Sequence, residues 1–114
     1  MSVVIYHNPR CSKSRITLGL LEEKGVEVEV IDYLKNEPDA ATLSNILDLL
    51  GMEPQDLMRK GEAIYKELGL KNVSARDQLI KAMVDNPILI ERPIVVANGK
   101  AKIGRPPESV LDIL

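Results

Sequence analysis

The chain has 114 residues and a mass of 12.6 kDa, which is the size of one domain, so we expect a single domain over residues 1–114. Its formal net charge of −2 and pI near 5.4 argue against a general nucleic-acid binder, whose surface would be basic. The sequence shows neither an apolar stretch of membrane-spanning length nor a signal peptide before the first strand. We therefore expect a cytoplasmic protein without membrane association. Since Phe and Trp are absent, its core should be built from aliphatic side chains and Met.

The first third of the chain predicts a strand, a helix and a second strand. Residues 3–6 form a short apolar run, and residues 12–24 follow a helical pattern that ends at Gly25. Residues 26–30 alternate valine and glutamate, which is typical of a strand at a sheet edge with one face in water. Two strands joined by a helix are expected to be parallel.

The middle of the chain is predicted to be helical. Apolar residues recur at helical spacing over residues 43–50, and short helical turns are indicated at residues 54–57 and 64–68. Ser74 with Asp77 is a plausible N-cap arrangement for a further helix.

The last part of the chain predicts a hairpin and a terminal helix. Asn98-Gly99 separates two strand-like segments, residues 94–96 and 100–103, and residues 106–108 open a short helix. The complete order is βαβ, a helical insert, then ββα. We therefore predict an α/β, thioredoxin-like fold, with a mixed four-stranded sheet flanked by helices.

Cys11 is the single cysteine, and it lies where the first strand passes into the first helix. Backbone N–H groups and the helix dipole favour an anion at a helix N-terminus, so a thiolate forms most easily there. The neighbouring cations Arg10, Lys13 and Arg15 should act in the same direction. A buried structural cysteine is the alternative, but the polar residues on both sides favour a reactive thiol.

His7 is the single histidine, four residues before the thiol. It is interpreted either as a protonated neighbour that stabilises the thiolate or as a loop residue bonded to the backbone. No second histidine or cysteine accompanies this pair, so we predict no metal site.

Three arginines are candidates for binding an anion. In a thioredoxin-like fold a proline before the third strand faces the cysteine; here Pro93 takes that place, and we predict a cis Arg92–Pro93 bond. Guanidinium groups bind tetrahedral oxyanions bidentately, so Arg59, Arg92 and Arg105 would form an anion cage if they converged on the thiol. Arg76 is interpreted as a surface charge.

Four separated segments resemble the glutaredoxin-linked arsenate reductases. They are residues 7–15, Arg59 after Leu57-Met58, residues 91–96 and residues 104–108. The resemblance implies that Cys11 is the nucleophile, that Arg59, Arg92 and Arg105 hold the oxyanion, and that His7 helps to lower the pKa of the thiol. It further implies arsenic detoxification: the reduction of arsenate to arsenite through a covalent cysteine–arsenate adduct.

The cysteine count determines where the electrons come from. With one thiol in the chain, they must be supplied from outside. The resemblance implies glutathione as co-substrate, which forms a mixed species with the adduct, and glutaredoxin, which resolves it. We expect no bound cofactor, no nucleic-acid partner and a monomer.

Two alternatives stay open. A glutathione-dependent thiol oxidoreductase would keep the fold and the thiol but act on another substrate. An Spx-like transcription regulator would bind RNA polymerase without catalysis; such regulators often carry a Cys-x-x-Cys pair, and here Ser14 stands three residues after Cys11.

Overall fold

The computed structural model describes residues 2–114. Its strands and α-helices, in chain order, are β1 (Val3–His7), α1 (Ser12–Glu23), β2 (Val28–Asp32), α2 (Ala40–Leu50), α3 (Pro54–Leu57), α4 (Ala63–Glu67), α5 (Arg76–Asp85), β3 (Ile94–Ala97) and β4 (Lys100–Ile103). Short 3₁₀ helices lie at Leu70–Asn72, Pro87–Leu89 and Pro107–Ile113. The chain divides into two compact units: residues up to Asn36 together with Arg92–Leu114, and Glu37–Glu91. The expectation of a single domain stays a prediction.

The first unit contains a mixed sheet with the strand order β2-β1-β3-β4. Strand β1 pairs in parallel with β2, from Val3 opposite Val28 to His7 opposite Asp32. Strand β3 runs antiparallel to both β1 and β4. The predicted α/β, thioredoxin-like arrangement is confirmed, and so is the position of β2 at a sheet edge.

A cluster of aliphatic side chains forms much of the core of the first unit. Its buried members are Val3, Ile5, Leu21, Val95, Ala97, Val110 and Ile113. Helix α1 and the final 3₁₀ helix pack together, and they bury this face of β1 and β3. This cluster is aliphatic as predicted, and it fixes α1 against the strand that precedes it. The prediction is wrong for the core as a whole, because Tyr33 of the same unit, only 1% exposed, and Tyr65 of the second unit are also buried.

The β3–β4 hairpin sets which residues lie opposite one another beyond the strands. Asn98 and Gly99 both have positive φ, 55° and 70°, as a two-residue hairpin turn requires. The register pairs Ile94 with Ile103, and the Gly104 N–H donates to the Pro93 carbonyl at 3.0 Å. Continuing the register two residues beyond Ile94 and Ile103 brings Arg92 level with Arg105.

The second unit is helical. Helices α2 and α5 pack together, and Arg76 of α5 donates from Nη2 to Ser44 and to Asp48 Oδ1 of α2 at 3.1 and 3.0 Å. Arg76 is thus more than the isolated surface charge predicted from the sequence, because it links two helices. Helix α2 is capped at its N-terminus by Asp39, whose carboxylate accepts from the Thr42 N–H at 2.8 Å.

Three local predictions differ from the structure. Strand β2 begins at Val28 rather than at residue 26, and Val30 is 48% exposed, so the alternation does not follow burial. The Ser74 N-cap is wrong: Ala75 occupies that position without a cap from any described side chain, while Asp77 lies in the first turn, where the helix dipole favours a carboxylate. The final helix is a 3₁₀ helix. None of the helices within residues 2–114 combines the length and apolar character that a bilayer crossing requires.

Candidate active site

Cys11 occupies the N-cap position of α1. Its backbone is extended, with φ −92° and ψ 122°, and its carbonyl accepts the first helical hydrogen bond from the Arg15 N–H at 3.0 Å. Its own N–H donates to the Asn8 carbonyl at 3.0 Å, so a tight turn connects β1 to the cysteine. This local geometry places the half-buried thiol at the positive end of the helix, as the sequence predicts.

Arg92 and Arg105 both reach the thiol. Nη2 of Arg105 lies 3.7 Å from Sγ of Cys11, and Nε of Arg105 donates to the Arg92 carbonyl at 2.9 Å. The Arg92 side chain also forms a hydrogen bond with the Cys11 sulfur. The hairpin register brings these two arginines together, and the antiparallel pairing of Tyr6 with Ile94 brings them to the end of β1 where Cys11 follows.

The pKa of the Cys11 thiol lies below its ordinary value. Burial acts to raise this pKa, but the Ser14 N–H, the hydrogen bond and charge of Arg92, and the Lys13 N–H together lower it by more. These N–H groups belong to the first turn of α1, so the helix N-terminus contributes as expected. The folded protein therefore favours the thiolate more than a free cysteine does.

The cation that lowers this pKa is remote in sequence rather than adjacent. Arg92 acts on the sulfur. Arg15, expected from the sequence to stabilise the thiolate, instead donates from Nη1 to the Pro9 carbonyl at 3.0 Å and so holds the turn before the cysteine. The positive environment of the thiol is thus built by the hairpin as well as by the helix.

His7 is the last residue of β1, one residue beyond the predicted end of the strand, and only 7% of it is exposed. Desolvation lowers its pKa below 6.5; the Asp32 carboxylate opposes this, and the Arg15 charge adds to it. The imidazole is therefore mainly neutral at pH 7. Its proposed help to the thiolate stays a prediction, but the structure favours a neutral neighbour over a charged one.

Ser14 connects His7 to the thiol, a role that was not predicted from the sequence. Its Oγ lies 2.6 Å from Nδ1 of His7 and accepts from the Asn8 N–H at 3.1 Å, while its own N–H acts on the Cys11 sulfur. A signal was available, because Ser14 lies at helical spacing from Thr17 and Leu21, and all three are buried. Small polar residues on a buried helix stripe commonly serve a hydrogen-bond network.

The peptide bond between Arg92 and Pro93 is cis, as predicted, and so is the bond between Arg105 and Pro106, for which no prediction was made. Pro93 is buried beside Gly104. A Cβ added at Gly104 would lie 2.6 Å from Thr17 Oγ1 and 2.8 Å from Pro93 Cγ. Gly104 therefore lets the hairpin approach α1 closely at the base of the site.

Arg59 belongs to the second unit. Met58 and Ile90 form an isolated antiparallel bridge. Next to it, the Arg59 N–H donates to the Leu89 carbonyl at 2.7 Å. Its Nη1 lies 2.8 Å from Glu91 Oε1. Arg59 is thus held in an ion pair within its own unit, and its convergence on the thiol stays a prediction.

The described residues contain no group of three His, Cys, Asp or Glu side chains suited to a metal ion. What the site presents is a polarised thiol with two guanidinium groups. Such an arrangement suits nucleophilic attack on an anionic centre whose oxygens need positive partners.

Comparisons with known proteins identify the family. The ArsC family model matches residues 6–113. An uncharacterized protein of Escherichia coli strain K12, YfgD, is 63% identical over 114 residues, covering 98% of this chain and 96% of its own. The arsenate reductase of Neisseria meningitidis serogroup B is 49% identical over 114 residues, covering 98% of this chain and 97% of its own. The solved structure of arsenate reductase from Vibrio cholerae is 53% identical, with a TM-score of 0.96 over 100% of this chain and 98% of that one. The chain therefore belongs to the ArsC family.

Proposed function

We propose that this protein is an arsenate reductase that uses Cys11 as its nucleophile and takes electrons from glutathione and glutaredoxin. The observation that carries the proposal is the contact of the Cys11 sulfur with the Arg92 and Arg105 guanidinium groups at the N-terminus of α1. The family match and the full-length relatives named arsenate reductase support it.

In the first step the Cys11 thiolate attacks arsenic. An S–As bond forms, one As–O bond breaks, and the displaced oxygen leaves as water after accepting two protons. Arg92, Arg105 and the N–H groups of the first helical turn neutralise the negative charge on the remaining oxygens, which is the preorganised stabilisation that usually dominates such catalysis. The part of Arg59 in holding the oxyanion rests on the family resemblance.

In the second step external thiols supply two electrons. Glutathione adds its sulfur to the arsenic of the adduct and displaces a second oxygen as water. A glutaredoxin thiolate then attacks the glutathione sulfur, and the electron pair of the broken S–As bond stays on arsenic, which passes from As(V) to As(III). The products are a glutaredoxin–glutathione disulfide and arsenite, which hydrolysis releases from Cys11. The single cysteine is the reason to propose external thiols.

The test is arsenate-dependent NADPH oxidation coupled to glutathione, glutathione reductase and glutaredoxin. We expect turnover by the wild type and none by Cys11→Ser, because a hydroxyl is a far weaker nucleophile at pH 7. Circular dichroism should show that the variant is folded. Arsenate turnover retained by Cys11→Ser, or absent from the wild type, would refute the proposal.

The same assay tests specificity and the electron source. Omitting glutaredoxin should stop turnover, and turnover without it would remove glutaredoxin from the proposal. Faster turnover of a glutathionylated peptide than of arsenate would favour the alternative of a general glutathione-dependent oxidoreductase.

A further inference from the structure

A cavity of about 320 Å³ lies beside the turn that carries the thiol. It is lined by Asn8, Pro9, Arg10, Asp32, Leu34 and Lys35. Strands β1 and β2 end at His7 and Asp32, so the cavity lies at the carboxyl ends of the two parallel strands. Ligands of α/β proteins bind preferentially outside this edge of a sheet.

One wall of the cavity is the turn that directly precedes the nucleophile in the chain. Asn8, Pro9 and Arg10 form the turn that the Cys11 N–H closes by donating to the Asn8 carbonyl at 3.0 Å. Asn8 is buried, and its Oδ1 accepts from the Arg10 N–H at 3.0 Å, so this wall is held by internal hydrogen bonds. A molecule in the cavity would therefore lie against the well-defined turn that precedes Cys11 in the chain.

The cavity combines charges of both signs. Arg10 and Lys35 contribute two cations, and Asp32 contributes one carboxylate, whose Oδ1 accepts from the Leu34 N–H at 3.2 Å. Leu34 adds an apolar side chain that is 39% exposed. This set complements a small ligand with two carboxylates, one ammonium group and a short apolar segment.

We propose that this cavity binds the glutathione moiety during the second step, an inference that rests on the function proposed above. Glutathione carries two carboxylates, which suit Arg10 and Lys35, and one ammonium group, which suits Asp32. The cavity volume is at the lower end of the range for small-molecule sites, as expected for a site that binds part of a tripeptide. The second unit has a larger cavity of about 540 Å³, lined in part by Lys60, Lys66 and Lys71, which provides a matched control.

The test measures the rate at which Cys11 reacts with oxidised glutathione, followed by mass spectrometry. The Cys11 thiolate attacks one sulfur, the S–S bond breaks, and one glutathione thiolate leaves as the Cys11–glutathione disulfide forms. Bis(2-hydroxyethyl) disulfide, which carries no charge, is the reference reagent. Lys35→Glu should slow the reaction with oxidised glutathione about five- to tenfold and leave the reference reaction unchanged. Lys35→Ala, a milder change at the same exposed position, should slow it less.

Lys71→Glu makes the same charge change in the other cavity and should react like the wild type. Equal slowing with both reagents, no slowing by either Lys35 variant, or slowing by Lys71→Glu instead would overturn the proposal. Because this exchange needs no arsenate, it can fail while arsenate reduction succeeds. Equally, a wild type without arsenate turnover would refute the proposed function and leave the exchange rates interpretable.

Discussion

The two units of the molecule use arginine in different ways. In the first unit, Arg92 and Arg105 contact the Cys11 sulfur, and the charge of Arg92 lowers the pKa of the thiol. In the second unit, Arg59 and Arg76 are bonded to carboxylates, at 2.8 Å to Glu91 and at 3.0 Å to Asp48. A guanidinium group beside a thiol promotes the anion, whereas one paired with a carboxylate is already largely neutralised. Residue type alone therefore does not reveal the role of an arginine.

Arg59→Lys tests whether the ion pair with Glu91 is the whole role of Arg59. If Arg59 also holds the oxyanion, as the family resemblance implies, loss of the bidentate geometry should lower kcat/KM for arsenate about 10²-fold, the usual cost of removing one oxyanion donor. Arg76→Lys, in the same unit, should retain nearly wild-type kinetics. Wild-type kinetics for Arg59→Lys would show that both arginines of the second unit are structural.

Gly104→Ala tests how closely the hairpin of the first unit must approach α1. The new Cβ would meet Thr17 Oγ1 and Pro93 Cγ at 2.6 and 2.8 Å, and neither can swing away as a long side chain would. We expect the free energy of unfolding in urea to fall by about 1–3 kcal/mol. Gly19→Ala is the control: Gly19 lies in α1, and an added Cβ would meet no atom within 4 Å apart from its chain neighbours and the nearby helix backbone, so the change should stabilise by about 0.5–1 kcal/mol. Equal stability of the wild type and Gly104→Ala would contradict the close packing.

Arg92→Lys and Arg105→Lys test the electrostatic difference between the units directly. The pKa of Cys11 is lowered in the folded protein, so iodoacetamide should alkylate it half-maximally at a lower pH than a free cysteine. Each lysine variant should move this midpoint upward and slow alkylation at pH 7 several-fold, since an interaction at a half-exposed site is worth at most about 1 kcal/mol. Arg76→Lys should leave the profile unchanged. A profile identical to the wild type in both first-unit variants would assign the lowered pKa to the helix N-terminus alone.

Much of the first unit follows from local sequence signals. The strand–helix–strand order and the Asn98-Gly99 turn predict the sheet, and the hairpin register then places Arg92 opposite Arg105. Strand β2 begins later than the sequence predicts, because the valine–glutamate alternation begins at residue 26 and strand pairing only at Val28. Local patterns of this kind carry no information on which strand a segment meets.

The chemical state of the site could be predicted less well. The protonation of His7 depends on its burial, on Asp32 of the neighbouring strand and on Arg15. These influences come from different segments of the chain, so no local pattern reveals them together. The helical spacing of Ser14 from Thr17 and Leu21 indicates a shared face, but it does not reveal that this face is buried or that Ser14 contacts His7. The cis bond at Arg105–Pro106 likewise has no local signal distinct from that of other X–Pro pairs.

His7→Asn tests the smallest of these effects, the neutral state of the buried imidazole. Because the folded state lowers the pKa of His7, the unfolded chain binds the proton more readily, and stability should rise with pH through this range. The stabilisation that the folded state gains by keeping His7 neutral is fully present above pH 6.5. It is lost as the pH falls toward the folded-state pKa, by at most about 1.4 kcal/mol per pH unit for one proton. Asparagine keeps a polar side chain near Ser14 but does not titrate, so the fall in urea stability from pH 7.5 to 5.5 should be smaller in the variant. A larger fall in the variant would mean that His7 is instead a charged neighbour of the thiol.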